Sequence, residues 1–301
     1  MLRYLLPLIL ASMGAAAAAA PTILPPQRFV PVRANPGTET IVASGLRLDV
    51  ETRLCGNGRP VSEACAEGDR YVAVTVWAPG MAPATLVGEA GVGAYLGVGK
   101  LDPHAALPSV ILVTEDGGSA DCVQIDLAVP DRAALRTVRL SGDPVEHGTI
   151  CHVDPRTLAW PRDLTGHGRP EFLLTEAIFY CHFTSCAGTW YAPRVVAFDG
   201  RRGIDVSNDP ALAPLYRANM REALVQCEQR VVEAQGACAG FAADAARLGL
   251  LPQAWPLIEA QVRRGCRAPS GGPCPDADHI PADFPGRLAV ALNVGGFGRR
   301  E

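Results

Sequence analysis

The sequence predicts an α+β chain, a β-rich unit followed by a small α-helical one, on three observations. Between Ile41 and about Ser207, short β-branched runs alternate with Gly, Pro and Asp, the pattern of strands joined by turns. Beyond Ser207 the apolar period lengthens from two residues to 3.6, the pattern of amphipathic helices. Ten cysteines, an even set, are spread over both halves, so covalent cross-links are expected to brace the whole.

Residues 1–20 have the layout of a secretory signal peptide. Arg3 charges the start, Leu5 to Leu10 form an apolar core, and Ala15 to Ala20 supply the small residues of a cleavage site. The apolar run is short for a bilayer span and stops at Pro21. Cleavage is expected within Ala17 to Ala20, and Cys55 lies too far downstream to be a lipoprotein attachment site. The mature chain is therefore expected in the periplasm or secreted, with no membrane span after cleavage. A net charge of −4, with Lys100 the only lysine, offers no basic surface to a phosphate backbone, which argues against nucleic acid as a partner.

Residues 21–40 are proline-rich and lack a steady apolar period, so they read as an extended arm. In the β-rich region, residues 41–207, the expected strands are Leu46 to Thr52, Tyr71 to Trp77, Ala84 to Gly88, Ser109 to Thr114, Val123 to Ala128, Arg136 to Leu140, Glu171 to Thr175 and Arg194 to Phe198. The alternation is cleanest in the second of these, where Val72, Val74 and Val76 share one face and Tyr71, Ala73, Thr75 and Trp77 the other. Residues 208–266 form the helical region. Asp209-Pro210 suits a helix start, and Leu212, Leu215, Tyr216, Met220, Ala223, Leu224, Cys227 and Val231 follow on one face. Gln235-Gly236 is expected to break that run, ahead of a helix from Ala237 to Leu248 that Gly249 stops. A third helix starts near Pro252, with Pro256 tolerated close to its first turn, and the short connection predicts an antiparallel hairpin. Residues 267–301 are a Pro/Gly loop and a short helix, Arg287 to Asn293.

Four cysteine pairs lie close in sequence: Cys55 with Cys65, Cys181 with Cys186, Cys227 with Cys238, and Cys266 with Cys274. Cys122 and Cys151 then remain as a fifth, although sequence alone leaves other connectivities open. Cys151-His152, Cys181-His182 and Cys186 raise a zinc reading, but no C-x2-C knuckle is present and exported thiols are oxidised more readily than metallated. The tightest spacing, C-x4-C, departs from the C-x2-C of a thioredoxin-like redox site.

Asp163-Leu-Thr-Gly-His-Gly-Arg-Pro-Glu171, running into Phe172-Leu-Leu-Thr175, has the outline of a loop that wraps a hard cation in side-chain oxygens and turns on glycine. It resembles the FG-GAP or VCBS-type repeat of integrin-like β-propellers, with Ile204-Asp205-Val206-Ser207 in the place of the closing V-D-V-T/S. Gly97-Val-Gly-Lys-Leu-Asp102, leading through Pro108 into Ser109 to Glu115, resembles a second, degenerate copy. With the Gly236 to Ala243 segment, Leu248-Gly249 and Ala254-Trp255, these features are similar to a family of uncharacterised bacterial exported proteins, over about residues 70 to 295. The resemblance implies a propeller-like or partial-propeller domain followed by a helical hairpin, and no activity. Asp163 and Glu171 keep their carboxylates, Thr165 and His167 replace acids or amides, and Gly168 is retained. Calcium is the one ion such a loop would take, through Asp163, Thr165 and Glu171, and the expectation is a β-turn kept for its geometry, with no cofactor.

His147, His152 and His167 fall between Asp143 and Glu171, beside Asp143, Glu146, Asp154 and Asp163. Such a cluster could serve a metal-dependent or acid/base hydrolase. H-E-x-x-H, G-x-S-x-G and Walker-type loops are absent, so the leading expectation is a non-enzymatic binding or structural module of the bacterial envelope. Its partner would be an envelope protein or ligand that the sequence does not name. Trp77, Trp160, Trp190 and Trp255 are expected in core or rim packing in preference to a carbohydrate platform.

Overall fold

The computed structural model describes residues 22–32, 37–56, 69–91, 93–115, 122–140, 150–151, 153–229, 233–264 and 280–297. The predicted signal peptide lies outside them, as do Cys65, Cys266, Cys274, Asp143, Glu146, His147, His152 and Val231.

The strands are β1 (Thr22–Ile23), β2 (Phe29–Pro31), β3 (Gly37–Ala43), β4 (Leu46–Leu54), β5 (Arg70–Trp77), β6 (Ala84–Ala90), β7 (Gly93–Gly99), β8 (Ser109–Glu115), β9 (Val123–Asp131), β10 (Ala134–Arg139), β11 (Glu171–Thr175), β12 (Pro193–Phe198) and β13 (Gly203–Asp205). The helices are α1 (Ala213–Gln229), α2 (Ala234–Arg247), α3 (Leu251–Arg264) and α4 (Phe284–Val294). Three sheets result, ordered β1-β3-β4-β5-β6, β10-β9-β8-β7-β2 and β11-β12-β13. Every pairing is antiparallel except β1 with β3. The β3–β4 hairpin turns on Ser44 and Gly45, both at positive φ, as a two-residue turn requires if it is to follow the twist of its strands.

Apolar alternation stacks the sheets. Ile41, Leu48, Val74 and Val76 of the first sheet pack on Leu96, Val98, Val110 and Leu112 of the second. The opposite face of the second sheet, with Tyr95, Ile111, Val113, Ile125 and Leu127, packs on Phe172, Leu174, Val196 and Phe198 of the third. The middle sheet is thus covered on both sides, which is why β8 reads as an unbroken aliphatic run. The third sheet turns Val195 toward Leu212 and Tyr216, and the helices cover it there. The architecture is antiparallel sheets followed by C-terminal helices; among the described residues the sheets do not close into a ring.

Several sequence expectations are corrected. The segment 21–40 contributes β1 to the first sheet and β2 to the second, and β3 begins ahead of Ile41. Gly97 and Gly99, at the start of the second repeat-like segment, belong to β7. Their missing side chains are required there, because a Cβ on Gly99 would stand 2.7 Å from the Trp160 ring and one on Gly97 3.0 Å from Phe29 and Trp160. Gln235-Gly236 does not break the helical run: α2 already starts at Ala234, and the left-handed residue is Glu233, with φ 69°. Pro256 sits in the second turn of α3, where its ring costs a backbone hydrogen bond that the first turn would not have needed.

Helix α2 is the axis of the helical layer, buried from Ala234 to Ala246. Small residues permit that. A Cβ on Gly236 would overlap the Gly188 carbonyl, and one on Gly240 the Trp190 indole. Phe179, Phe183, Phe284 and Phe297 close the layer against α4. No helix among the described residues is long and apolar enough to cross a membrane.

Candidate functional site

The loop before β11 is closed by its own backbone. Asp163 Oδ1 accepts from the N–H groups of Gly166 (2.7 Å) and His167 (3.0 Å), and Oδ2 from that of Gly168 (2.9 Å). Gly166 and Gly168 take positive φ, 78° and 75°, which turns those three N–H groups onto one carboxylate. Glu171, almost fully buried, accepts from the backbone of Leu164 (2.6 Å) and Thr165 (2.9 Å) at Oε2, and from Thr165 Oγ1 (2.5 Å) at Oε1. Asp163, Thr165 and Glu171 thus share one loop, whose backbone amides donate to both carboxylates. Calcium takes six to eight oxygen ligands, and this loop supplies two carboxylates and one hydroxyl toward that number. Among the described residues no group of three or more His, Cys, Asp or Glu side chains is placed to hold a metal ion.

The two repeat-like segments meet at a cleft of about 260 Å³. Leu101 and Asp102 line it from one side, Gly168 to Pro170 from another, and Asp199-Gly200 close it. Asp102 Oδ1 accepts from the His104 N–H at 2.8 Å. Asp199 Oδ1 accepts from Arg201 (2.7 Å) and Arg202 (2.9 Å), and the backbone N–H groups of Arg202 and Arg201 hold its carboxyl below the usual carboxylate range. Each acid accepts hydrogen bonds from its own turn at the rim of the cleft.

The described part of the His/Asp cluster falls in two places. Of its described members, Asp163, His167 and Glu171 lie at the start of β11, with the exposed His167 Nδ1 3.4 Å from Asp209 Oδ2. Asp154 lies at the other end, in a separate cleft of about 280 Å³ with Thr175 and Pro193, where it caps the Arg156 N–H at 2.9 Å. Asp209 itself accepts from Ala211 at the start of the turn leading into α1, the helix-start role its sequence position suggested.

Cys122–Cys151, Cys181–Cys186 and Cys227–Cys238 are disulfides. Cys55 is disulfide-bonded as well. With Cys151, Cys181 and Cys186 oxidised, the zinc reading loses its sulfur ligands. The Cys181–Cys186 loop lies on α2 through Gly188 and Trp190, and Cys227–Cys238 ties α1 to α2.

Two polar groupings escaped sequence reasoning. At the base of the helical layer Arg247 pairs with Glu176 (3.1 Å), donates to the Pro193 carbonyl, and lies over the Phe297 and Tyr216 rings. Nearby, burial pushes the Asp244 carboxyl up to about 7, against the opposing pull of the Asn219 amide and the Arg247 charge. On the outer face of the first sheet, Asp49 accepts from Thr40 Oγ1 (2.9 Å), Arg47 Nε (3.0 Å) and Trp77 Nε1 (2.9 Å). The sequence places Thr75 and Trp77 on one face of β5, but the register that brings Arg47 and Asp49 beside them is not local.

No curated protein and no solved structure matches the chain. Residues 216–296, from within α1 through α4, match the model of the sll0997 C-terminal domain, so the helical layer is the part of this chain that is similar to a described family.

Proposed function

We propose that this chain is an exported, non-catalytic binding or structural module of the bacterial envelope, periplasmic or secreted, whose stacked sheets act as the blades of a partial propeller. One observation carries the reading: Asp163 and Glu171, the two carboxylates of the sequence's best chemical motif, each accept hydrogen bonds from within their own loop, which supports a role in holding that loop's shape. The meanders β3–β6, β7–β10 and β11–β13 follow one another in chain order and stack face to face, which supports the blade-like arrangement. Oxidised cysteines in both the sheets and the helices support an oxidising compartment.

Elemental analysis of the purified protein, together with assays on ester, peptide, phosphate and glycoside substrates, tests the reading. It expects no stoichiometric metal and no turnover, and Asp163→Ala is expected to lower thermal stability without changing either result. Stoichiometric zinc or calcium, or turnover lost in Glu171→Gln, would overturn it in favour of a hydrolase.

A further inference from the structure

The outer face of the first sheet carries an ordered polar and aromatic surface that the fold does not need for its core. Cross-strand register places Val42, Arg47 and Trp77 in one row, and Thr40, Asp49, Thr75 and Thr85 in the next. Side chains alternate along each strand, so all seven point away from Leu48, Val74 and Val76, which face the second sheet. Trp77 remains 44% exposed although its indole N–H is bound by Asp49. Arg47 pairs with Asp49 at 3.0 Å and leans over the indole at 6.0 Å. Thr75 and Thr85 hydroxyls lie 3.1 Å apart.

We infer that this face binds a neutral glycan, with a pyranose ring stacked on Trp77 and its hydroxyls bonded to Thr75 and Thr85. The charges select the class. Arg47 is matched by Asp49 and Arg53 by Glu51, so the face attracts neither an anion nor a cation. Asp49, bonded by Thr40, Arg47 and Trp77, holds the indole in place beneath the exposed surface. The hydroxyls of Thr75 and Thr85 can each donate or accept, as sugar hydroxyls do. Arg47 lies over the indole, and the ring surface it leaves exposed offers negative π density to the weakly positive C–H face of a sugar ring. Four strands at about 4.8 Å spacing make a row roughly 14 Å long, the length of a short linear oligosaccharide.

This inference rests on the binding-module reading and names its ligand class. Isothermal titration of the full-length mature protein with neutral linear pentasaccharides of glucose and of N-acetylglucosamine tests it, with the sugar recovered afterwards and sized. At least one pentasaccharide is expected to bind and to be recovered intact. Trp77→Ala should weaken binding at least tenfold, Trp77→Phe should retain most of it, and Thr85→Ala should lose about two- to fivefold, while the thermal transitions of Trp77→Phe and Thr85→Ala stay near that of the parent. Binding unchanged in Trp77→Ala, no binding of either sugar at millimolar concentration, or a dimer abolished by Trp77→Ala without sugar binding would each overturn the glycan assignment. Cleaved sugar with Trp77-dependent binding would instead keep the glycan surface and sink the non-catalytic reading.

Discussion

The guanidinium of Arg247, at the end of α2, lies 3.1 Å from the carboxylate of Glu176 just past β11, and both side chains are withdrawn from solvent. This pair joins the helical layer to the third sheet. Removing one partner of a buried pair strands the other charge, so Arg247→Ala should cost about 3–5 kcal/mol in urea unfolding. The double variant with Glu176→Leu should be more stable than the sum of the single losses by at least ~1 kcal/mol. Additive losses would show that the two residues do not act as a pair.

The disulfides should differ in weight according to the loops they close. Separations of 29, 11 and 5 residues for Cys122–Cys151, Cys227–Cys238 and Cys181–Cys186 predict about 3.6, 2.8 and 2.1 kcal/mol from chain entropy. Paired Cys→Ser variants, unfolded in denaturant, measure the order directly. A Cys181–Cys186 variant losing the most would mean that its contact with α2 outweighs loop length.

Asp244 gives the helical layer a pH dependence whose direction is fixed. Its carboxyl, at about 7 in the fold against about 3.9 unfolded, holds a proton that the unfolded chain has released between those values. The stability it contributes is complete below about pH 4 and is lost as pH rises to about 7, on the order of 2 kcal/mol between pH 5 and 8. Asp244→Asn keeps an acceptor for Asn219 and removes the titration, so it should flatten the melting temperature against pH. A parallel profile in the variant would assign the dependence elsewhere.

Gly240→Ala should destabilise by about 1–3 kcal/mol, because the added methyl overlaps the Trp190 indole in a layer with no room to yield. Near-ultraviolet circular dichroism should report a displaced tryptophan. An unchanged signal with unchanged stability would contradict the close approach of Trp190 to α2.

Much of the scaffold was legible because burial imposes period. The aliphatic run of β8 and the 3.6-residue stripe of α1 appear where the sequence places them, and in β5 Thr75 is half-buried and Trp77 exposed as the alternation predicts while Tyr71 and Ala73 are buried. β7 was hidden because its glycines make space for Phe29 and Trp160 from distant segments. The site was less legible for a related reason. The spacing of Asp163, Thr165 and Glu171 outlines a cation loop, but which way a carboxylate turns depends on backbone dihedrals at Gly166 and Gly168. Likewise the Asp49–Trp77 bond spans 28 residues and needs the β4–β5 register, which no local pattern encodes.

The doubly covered middle sheet has a consequence for biogenesis. Synthesis runs from the N-terminus, so β7 to β10 exist before Phe172, Leu174 and Val196 do, and until those arrive one greasy side of a finished sheet has no lid. That interval is when a nascent chain would be captured by a holdase or lost to clumping, and any fragment ending before β11 would be caught in it permanently.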